Sequence, residues 1–327
     1  MPSFTTLLDQ REVLLADGAT GTNYQDMGLA PGVAPEEWVF DAPDQVAELH
    51  RRFAQSGSDL VLTCTFGASP IRLADGPLAG RARELNARAA ELAREAVGED
   101  VLVAGSIGPT GALVEPLGPL SRDEASSAFA AQARALADGG VDLLVLETFF
   151  ALDEALWAAE AVRSVTELPL VASFSFDQGT RTMMGLSAAD VVRAVEPLGL
   201  AAVGANCGRS LEDTATVVSE FAQAGTTLPL WVKPNAGVPQ VVGDAVVYPE
   251  DADSFALQVA GFAEQGARIV GGCCGSTPAH VAALARRLGI RDTATPARQS
   301  APPGSASTGG TSPRIAQPRS TASGGTR

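Results

Sequence analysis

The sequence predicts a (β/α)8 TIM barrel over residues 1–292, followed by a tail of different composition over 293–327. Three observations carry that expectation. Short apolar runs recur eight times before the tail, each ending in small polar residues. An Ala- and Leu-rich segment of helical period follows each run. The runs are apolar almost without alternation, as strands covered on both faces are.

The runs fall at 13–17, 59–65, 101–106, 142–147, 169–176, 201–207, 229–235 and 268–274. The segments between them carry helix punctuation. Ser121 with Glu124 forms a capping box ahead of AFAAQARALA, and Gly139-Gly140 stops that helix. Ser187 starts AADVVRAV, which ends at Pro197 and Gly199, and Ser210 starts LEDTATVVSEFAQA, which ends at Gly225. Thr277-Pro278 supplies the N-cap and first-turn proline of AHVAALARRL. So many regular strand–helix units suit a closed barrel better than a doubly wound open sheet.

Residues 293–327 are Ser, Thr, Gly, Pro and Ala with scattered Arg, and Ile315 is their only large aliphatic residue. Such a segment buries too little apolar surface to offset its ordering entropy and reads as disordered. In the chain as a whole, 46% hydrophobic residues suffice for a sizeable core, and a net charge of −15 argues against nucleic acid or anionic membranes as partners. No apolar run reaches the ~18 residues of a membrane span. The opening MPSFTTLLDQREVLLADG lacks the layout of a signal peptide. A cytoplasmic location is the expectation. There the four cysteines stay reduced, and metal binding or catalysis outranks a disulfide.

In a (β/α)8 barrel, chemistry collects at the C-terminal ends of the strands. The sequence puts Asp17-Gly18, Thr63-Cys64-Thr65-Phe66, Ser106, Glu147-Thr148, Asn206-Cys207, Lys233-Pro234-Asn235 and Cys273-Cys274 there. Three of the cysteines thus lie at two strand ends, in GANCG and GGCCG. Adjacent residues on a regular strand face opposite ways, so the pair converges on one ion only if the chain turns. Gly271, Gly272 and Gly275 permit that turn. Three soft thiolates favour Zn2+ and leave a fourth position open, as in catalytic sites. An Fe–S cluster calls for a fourth ligand and tighter spacing. The plainer alternative is three small buried residues. The only histidines, His50 and His280, fall on predicted helices, with His280 expected at the surface, so no His base offers itself for hydrolysis. All-sulfur ligation suits activation of a substrate thiol for alkyl transfer.

DGATGT (17–22), TCTFGA (63–68), GSIGPTG (105–111), LET (146–148), GANCG (204–208), KPNAG (233–237) and GGCCGSTPAH (271–280) together resemble the homocysteine S-methyltransferase family. The resemblance runs over 13–288 and implies methyl transfer to the thiol of homocysteine, forming methionine. It implies Zn2+ on Cys207, Cys273 and Cys274. It also implies that Asp17 and Glu147 hold the substrate ammonium. Gly18 lies beside Asp17, the backbone around Thr65, Phe66 and Ser106 is expected to take the carboxylate, and Asn235 is expected to fill the open metal position when substrate is absent. Cys64 departs from the family, which often has Asn at that place.

Two subfamilies compete. ADGATGTNYQDMGLAPGVAPEEW and RTMMGL look like bacterial betaine–homocysteine methyltransferases, whereas TFGASPIRLAD and KPNAG look like the homocysteine module of cobalamin-dependent methionine synthase. With no cobalamin domain in these residues, a small donor is expected: betaine first, S-methylmethionine second. A separate methyl-corrinoid protein and a homo-oligomer stay open as partners. Tyr24 and Trp38 are candidates to box a quaternary ammonium, or equally are loop packing. The rival of another class is a non-catalytic subunit that presents homocysteine to a corrinoid partner.

Overall fold

The computed structural model describes residues 3–290 except Asp244, so the tail expected over 293–327 lies outside the described residues. Each predicted run overlaps a strand: β1 (Leu14–Leu15), β2 (Leu60–Leu62), β3 (Leu102–Ile107), β4 (Leu143–Phe149), β5 (Leu170–Phe174), β6 (Ala202–Cys207), β7 (Leu230–Pro234) and, after a hairpin of β8 (Gln240–Val242) and β9 (Ala245–Val247), β10 (Ala267–Val270). The eight form one parallel sheet in the order β1-β10-β7-β6-β5-β4-β3-β2. A parallel bridge between Ala16 and Leu60 joins its two edges and closes the ring, giving a (β/α)8 TIM barrel. Asp59 reinforces that seam. Its amide donates to the Leu15 carbonyl at 2.7 Å, and its carboxylate accepts from the Leu15 amide at 2.9 Å.

Two apolar layers result. Leu14, Leu60, Leu102, Val145, Val171 and Trp231 pack inside the barrel, while a larger cluster fills the space between sheet and helices. The helix Phe4–Gln10, which the sequence reading did not anticipate, joins the inner layer through Phe4, Leu7 and Leu8. These three sit at helical spacing on one face and cover the barrel end opposite the strand C-termini.

The expected caps are present. The Ser121 amide donates to Glu124 at 3.1 Å while Ser121 Oγ accepts from the Glu124 amide at 3.4 Å. Ser187 and Asp190 make the same reciprocal pair, and Ser210 Oγ accepts from the Asp213 amide at 3.1 Å. Before the helix Pro278–Leu288 the acid's role passes to a histidine: His280 Nδ1 accepts from the Thr277 amide at 3.2 Å. Its Nε2–H donates to the Glu250 carbonyl at 3.0 Å and its ring stands edge-on to Phe255. His280 is therefore buried rather than at the surface, because both its nitrogens serve the backbone. His50 is also buried, and burial pulls its pKa down to about 4, so it stays neutral.

The β8–β9 hairpin projects Val241, Val242, Val246 and Val247 into solvent. Among the described residues no helix is long and apolar enough to cross a membrane.

Candidate metal and substrate site

β6 ends on Cys207 in a left-handed conformation, φ +57°, and β4 reaches Thr148 in another, φ +65°. Non-glycine residues adopt this region at a cost and persist there when their surroundings over-determine them. Here the surroundings converge on Asn206. Its Oδ1 accepts from the Thr148 amide at 2.8 Å and from Ser173 Oγ at 2.7 Å, and its Nδ2 donates to Thr148 Oγ1 at 2.7 Å. The same Nδ2 faces Cys207 Sγ at 3.6 Å and Cys273 Sγ at 3.9 Å. One amide thus pins both strained turns and aims the sulfur of Cys207.

The other two thiols are set by the turn after β10. The Cys273 amide donates to the Pro234 carbonyl at 2.7 Å, and the Cys273 carbonyl accepts from Ser276 Oγ at 2.7 Å. The Cys274 carbonyl accepts from the Ala236 amide at 2.9 Å. Gly275 follows at φ +80°, with the Tyr248 ring laid across it where a Cβ would stand. The turn brings the three sulfurs of Cys207, Cys273 and Cys274 within 4.8 Å of one another, with Cys207 and Cys273 2.9 Å apart.

Thiols this close share protons. Hydrogen bonding to Cys273 and Cys274, then burial, pushes Cys207 well up, and hydrogen bonds from Cys207 and Cys273 pull Cys274 down to about 3. One thiolate is held by two thiols. All three ionise together only around a cation, and three convergent sulfurs fit a soft divalent ion with a fourth position to spare. Asn206→Ala is expected to lower metal affinity about 10–100-fold, the usual effect of removing a group that orients ligands. Competition with a chromophoric chelator measures it, and unchanged affinity would show that Asn206 does not position the sulfurs.

Cys64 stands apart from the trio. It is buried, donates to the Pro35 carbonyl at 3.4 Å, and burial pushes its pKa well up, so it is an inert thiol. The substrate-binding candidates fall into two layers. Glu147 is partly open at the mouth, close to the cysteines, and one of its oxygens accepts from Ser106 Oγ. Burial, opposed by Lys233 and assisted by Cys273, pushes Glu147 up to about 7. Beneath it lie Asp17 and Lys233, joined by an ion pair of 2.5 Å and almost fully buried. Asp17 also accepts from the Leu62 amide at 2.8 Å.

Gly18 is wedged where a Cβ would come within 2.8 Å of the Phe53 ring and 2.9 Å of the Ser276 carbonyl, so it serves close packing beside Asp17. Thr65 is also internal, its Oγ1 donating to the Ser106 carbonyl at 2.7 Å. The Gly67 amide, in the turn expected to meet the substrate carboxylate, is taken by buried Glu36 at 2.5 Å. The Phe66 amide finds no acceptor among the described residues, which leaves it as the open donor of that turn. Asn235 Nδ2 donates to the Gly208 carbonyl at 2.9 Å, and its buried Oδ1 has no partner. Tyr24 is fully covered, its ring 5.3 Å from that of Trp38, so the pair is loop packing rather than an open aromatic box. Sequence reasoning missed Lys233, Asn206 and Glu36 as site residues. The polar letters at strand ends named the first two without assigning them partners.

Thiols and carboxylates gathered at the C-terminal face of a (β/α)8 barrel mark an enzyme, because that face is where such barrels carry out reactions. A family model described as homocysteine S-methyltransferase matches residues 14–288, and the chain belongs to that family. It is accordingly an S-methyltransferase, acting on a thiol. The chain is similar to the methionine synthase of Mycobacterium leprae (strain TN), 31% identical over 296 residues, which covers 84% of this chain and 24% of that protein. It is likewise similar to the methionine synthase of Mycobacterium tuberculosis (strain ATCC 25618 / H37Rv), 31% identical over 301 residues, covering 86% of this chain and 25% of that protein. The chain thus spans about a quarter of the length of these relatives. Among solved structures it resembles the homocysteine methyltransferase MmuM from Escherichia coli in its metallated form. The TM-score is 0.74 at 28% identity, over 86% of this chain and 98% of that one.

Proposed function

We propose that this chain holds one Zn2+ through Cys207, Cys273 and Cys274 and transfers a methyl group to the sulfur of homocysteine, with betaine as the first donor to consider. The observation that carries this reading is the convergence of three sulfurs within 4.8 Å beside the partly open Glu147. Bound there, the ion would lower the pKa of the substrate thiol and leave it nucleophilic at neutral pH. Glu147 then holds the substrate ammonium by a charge-assisted hydrogen bond, with Ser106 fixing its other oxygen. The Phe66 amide is the proposed donor to the substrate carboxylate. In the transfer, the substrate sulfur forms a bond to the methyl carbon as the donor's C–N bond breaks, and that electron pair leaves with dimethylglycine.

The similarity to methionine synthases favours a second reading, in which the methyl group arrives on a separate methyl-corrinoid protein. The covered position of Tyr24 supports it too, since the Tyr24–Trp38 pair offers no open face to a quaternary ammonium. Zinc-loaded protein assayed with homocysteine and, in turn, betaine, S-methylmethionine and a methyl-corrinoid protein separates the readings. Methionine is expected with one of them. Binding of zinc and homocysteine with no methionine from any donor would leave a presenting subunit and overturn the enzyme reading for this chain alone.

A further inference from the structure

Each sulfur of the trio is met by a polar hydrogen of the protein. Asn206 Nδ2 faces Cys207 Sγ at 3.6 Å and Cys273 Sγ at 3.9 Å. Cys274 is served from another element. Tyr248 directly follows β9, and its half-buried ring lies across Gly275, where any Cβ would collide with it. From that seat the Tyr248 hydroxyl donates to the Cys274 sulfur, which its own amide also faces. The seat is held in register with the turn. The Ala236 amide donates to the Cys274 carbonyl at 2.9 Å, and the Ala236 carbonyl accepts from the Glu250 amide at 3.2 Å. His280 Nε2–H fixes the Glu250 carbonyl at 3.0 Å. One residue, Ala236, thus ties the segment carrying Tyr248 to the turn carrying Cys274.

A donor that stabilises a thiolate also makes it a poorer nucleophile, because the electron pair it engages is the one that must attack. The point matters where several thiolates share one ion, since a methyl group could land on a cysteine as well as on the substrate. We propose that Tyr248 restrains Cys274 in this way, as Asn206 restrains Cys207 and Cys273, so that a thiol arriving at the fourth position is the sulfur left free to take the methyl group. This rests on the zinc reading above. Tyr248 acts through Cys274 and is a positioning residue.

Methyl iodide offered to zinc-loaded protein, with peptide mass spectrometry of each cysteine, tests the assignment. The attacking sulfur gives an electron pair to the methyl carbon as the C–I bond breaks, and iodide leaves with that bond's pair. Tyr248→Phe keeps the ring on Gly275 and removes only the hydroxyl, and both proteins are loaded to equal zinc. Cys274 is expected to be methylated about two- to tenfold faster in the variant, the worth of one hydrogen bond, with Cys207 and Cys273 unchanged. When homocysteine is present, the unaltered protein should place the methyl on homocysteine, and Tyr248→Phe should raise the share found on Cys274 by a like factor.

Equal Cys274 rates in the two proteins would overturn the proposal. So would a rise shared by all three cysteines, which marks a loosened site rather than a lost donor. Protein that takes up no zinc would overturn the zinc reading and this proposal with it, and the metal content measured before methylation tells the two failures apart.

Discussion

Replacing any one of Cys207, Cys273 or Cys274 by alanine is expected to strip the protein of its metal and abolish methionine formation. Binding free energies of about 10–16 kcal/mol for four-ligand zinc sites imply about 2.5–4 kcal/mol per ligand, a loss of about 70- to 900-fold in affinity. The orientation of the remaining sulfurs makes the loss larger, since Cys207 is aimed by Asn206 and the other two by a single turn. The fold should survive, because the sulfurs sit at the mouth and neither apolar layer includes them. Metal per chain after dialysis, with circular dichroism as the check on folding, gives the result. Cys64→Ala is the control and should keep its metal, its thiol being turned to the Pro35 carbonyl. A fully loaded variant at any of the three positions would remove that residue from the ligand set.

Homocysteine affinity is expected to carry a pH dependence through Glu147, on top of the proton released when the thiol meets the metal, and to lose only the Glu147 part in Glu147→Gln. Burial pushes the carboxyl up to about 7 against the pull of Lys233, so in the free protein it is half ionised near neutrality. Only the carboxylate attracts the substrate ammonium. Relative to the variant, affinity should therefore fall as pH drops through 7, by up to tenfold per pH unit below it, and the difference should level off above about 8. Glu147→Gln should sit about 1.5–3 kcal/mol weaker at pH 8, the cost of a charge-assisted hydrogen bond, with no step near 7. A step that persists in the variant would assign the titration to another group. The same shift acts on stability with the opposite sense to a paired carboxylate. Between the ordinary value of 4.5 and about 7 the folded state holds a proton that the unfolded state has released, so raising pH across that window lowers stability.

The barrel was legible because its signals are local. A strand covered on both faces is apolar at every position, and Ser121-Glu124 and Ser210 announce helix starts within four residues. The cysteine trio was legible for a related reason: a glycine-flanked pair at one strand end has few packing explanations. What stayed hidden is tertiary. Lys233 finds Asp17 across 216 residues, and Asn206 finds Thr148 across 58. Neither spacing leaves a trace in composition. His280 misled because the capping role it fills falls to an acid, Glu124 or Asp190, at the other boxed helix starts. The β8–β9 hairpin escaped because its valines are exposed and follow no alternation that betrays a half-buried strand. Glu36 lies in the single 3-10 turn Pro35–Glu37, where nothing local foretells that it will capture the Gly67 amide.

The pairing of β1 with β10, Leu14 opposite Ile269, has a consequence for biosynthesis. The ring closes only when the last strand emerges from the ribosome, so until then β1 and β7 present unpaired edges, the kind that recruit other chains. Cys207 emerges 66 residues ahead of Cys273, a lag of about 3–13 s at ordinary elongation rates. Throughout that interval the Cys207 thiol is without the two partners that complete the trio. A pause or truncation in this window yields an open, sticky ring that lacks its last strand and holds an oxidisable cysteine, and the cysteine trio is completed only in chains that have passed it.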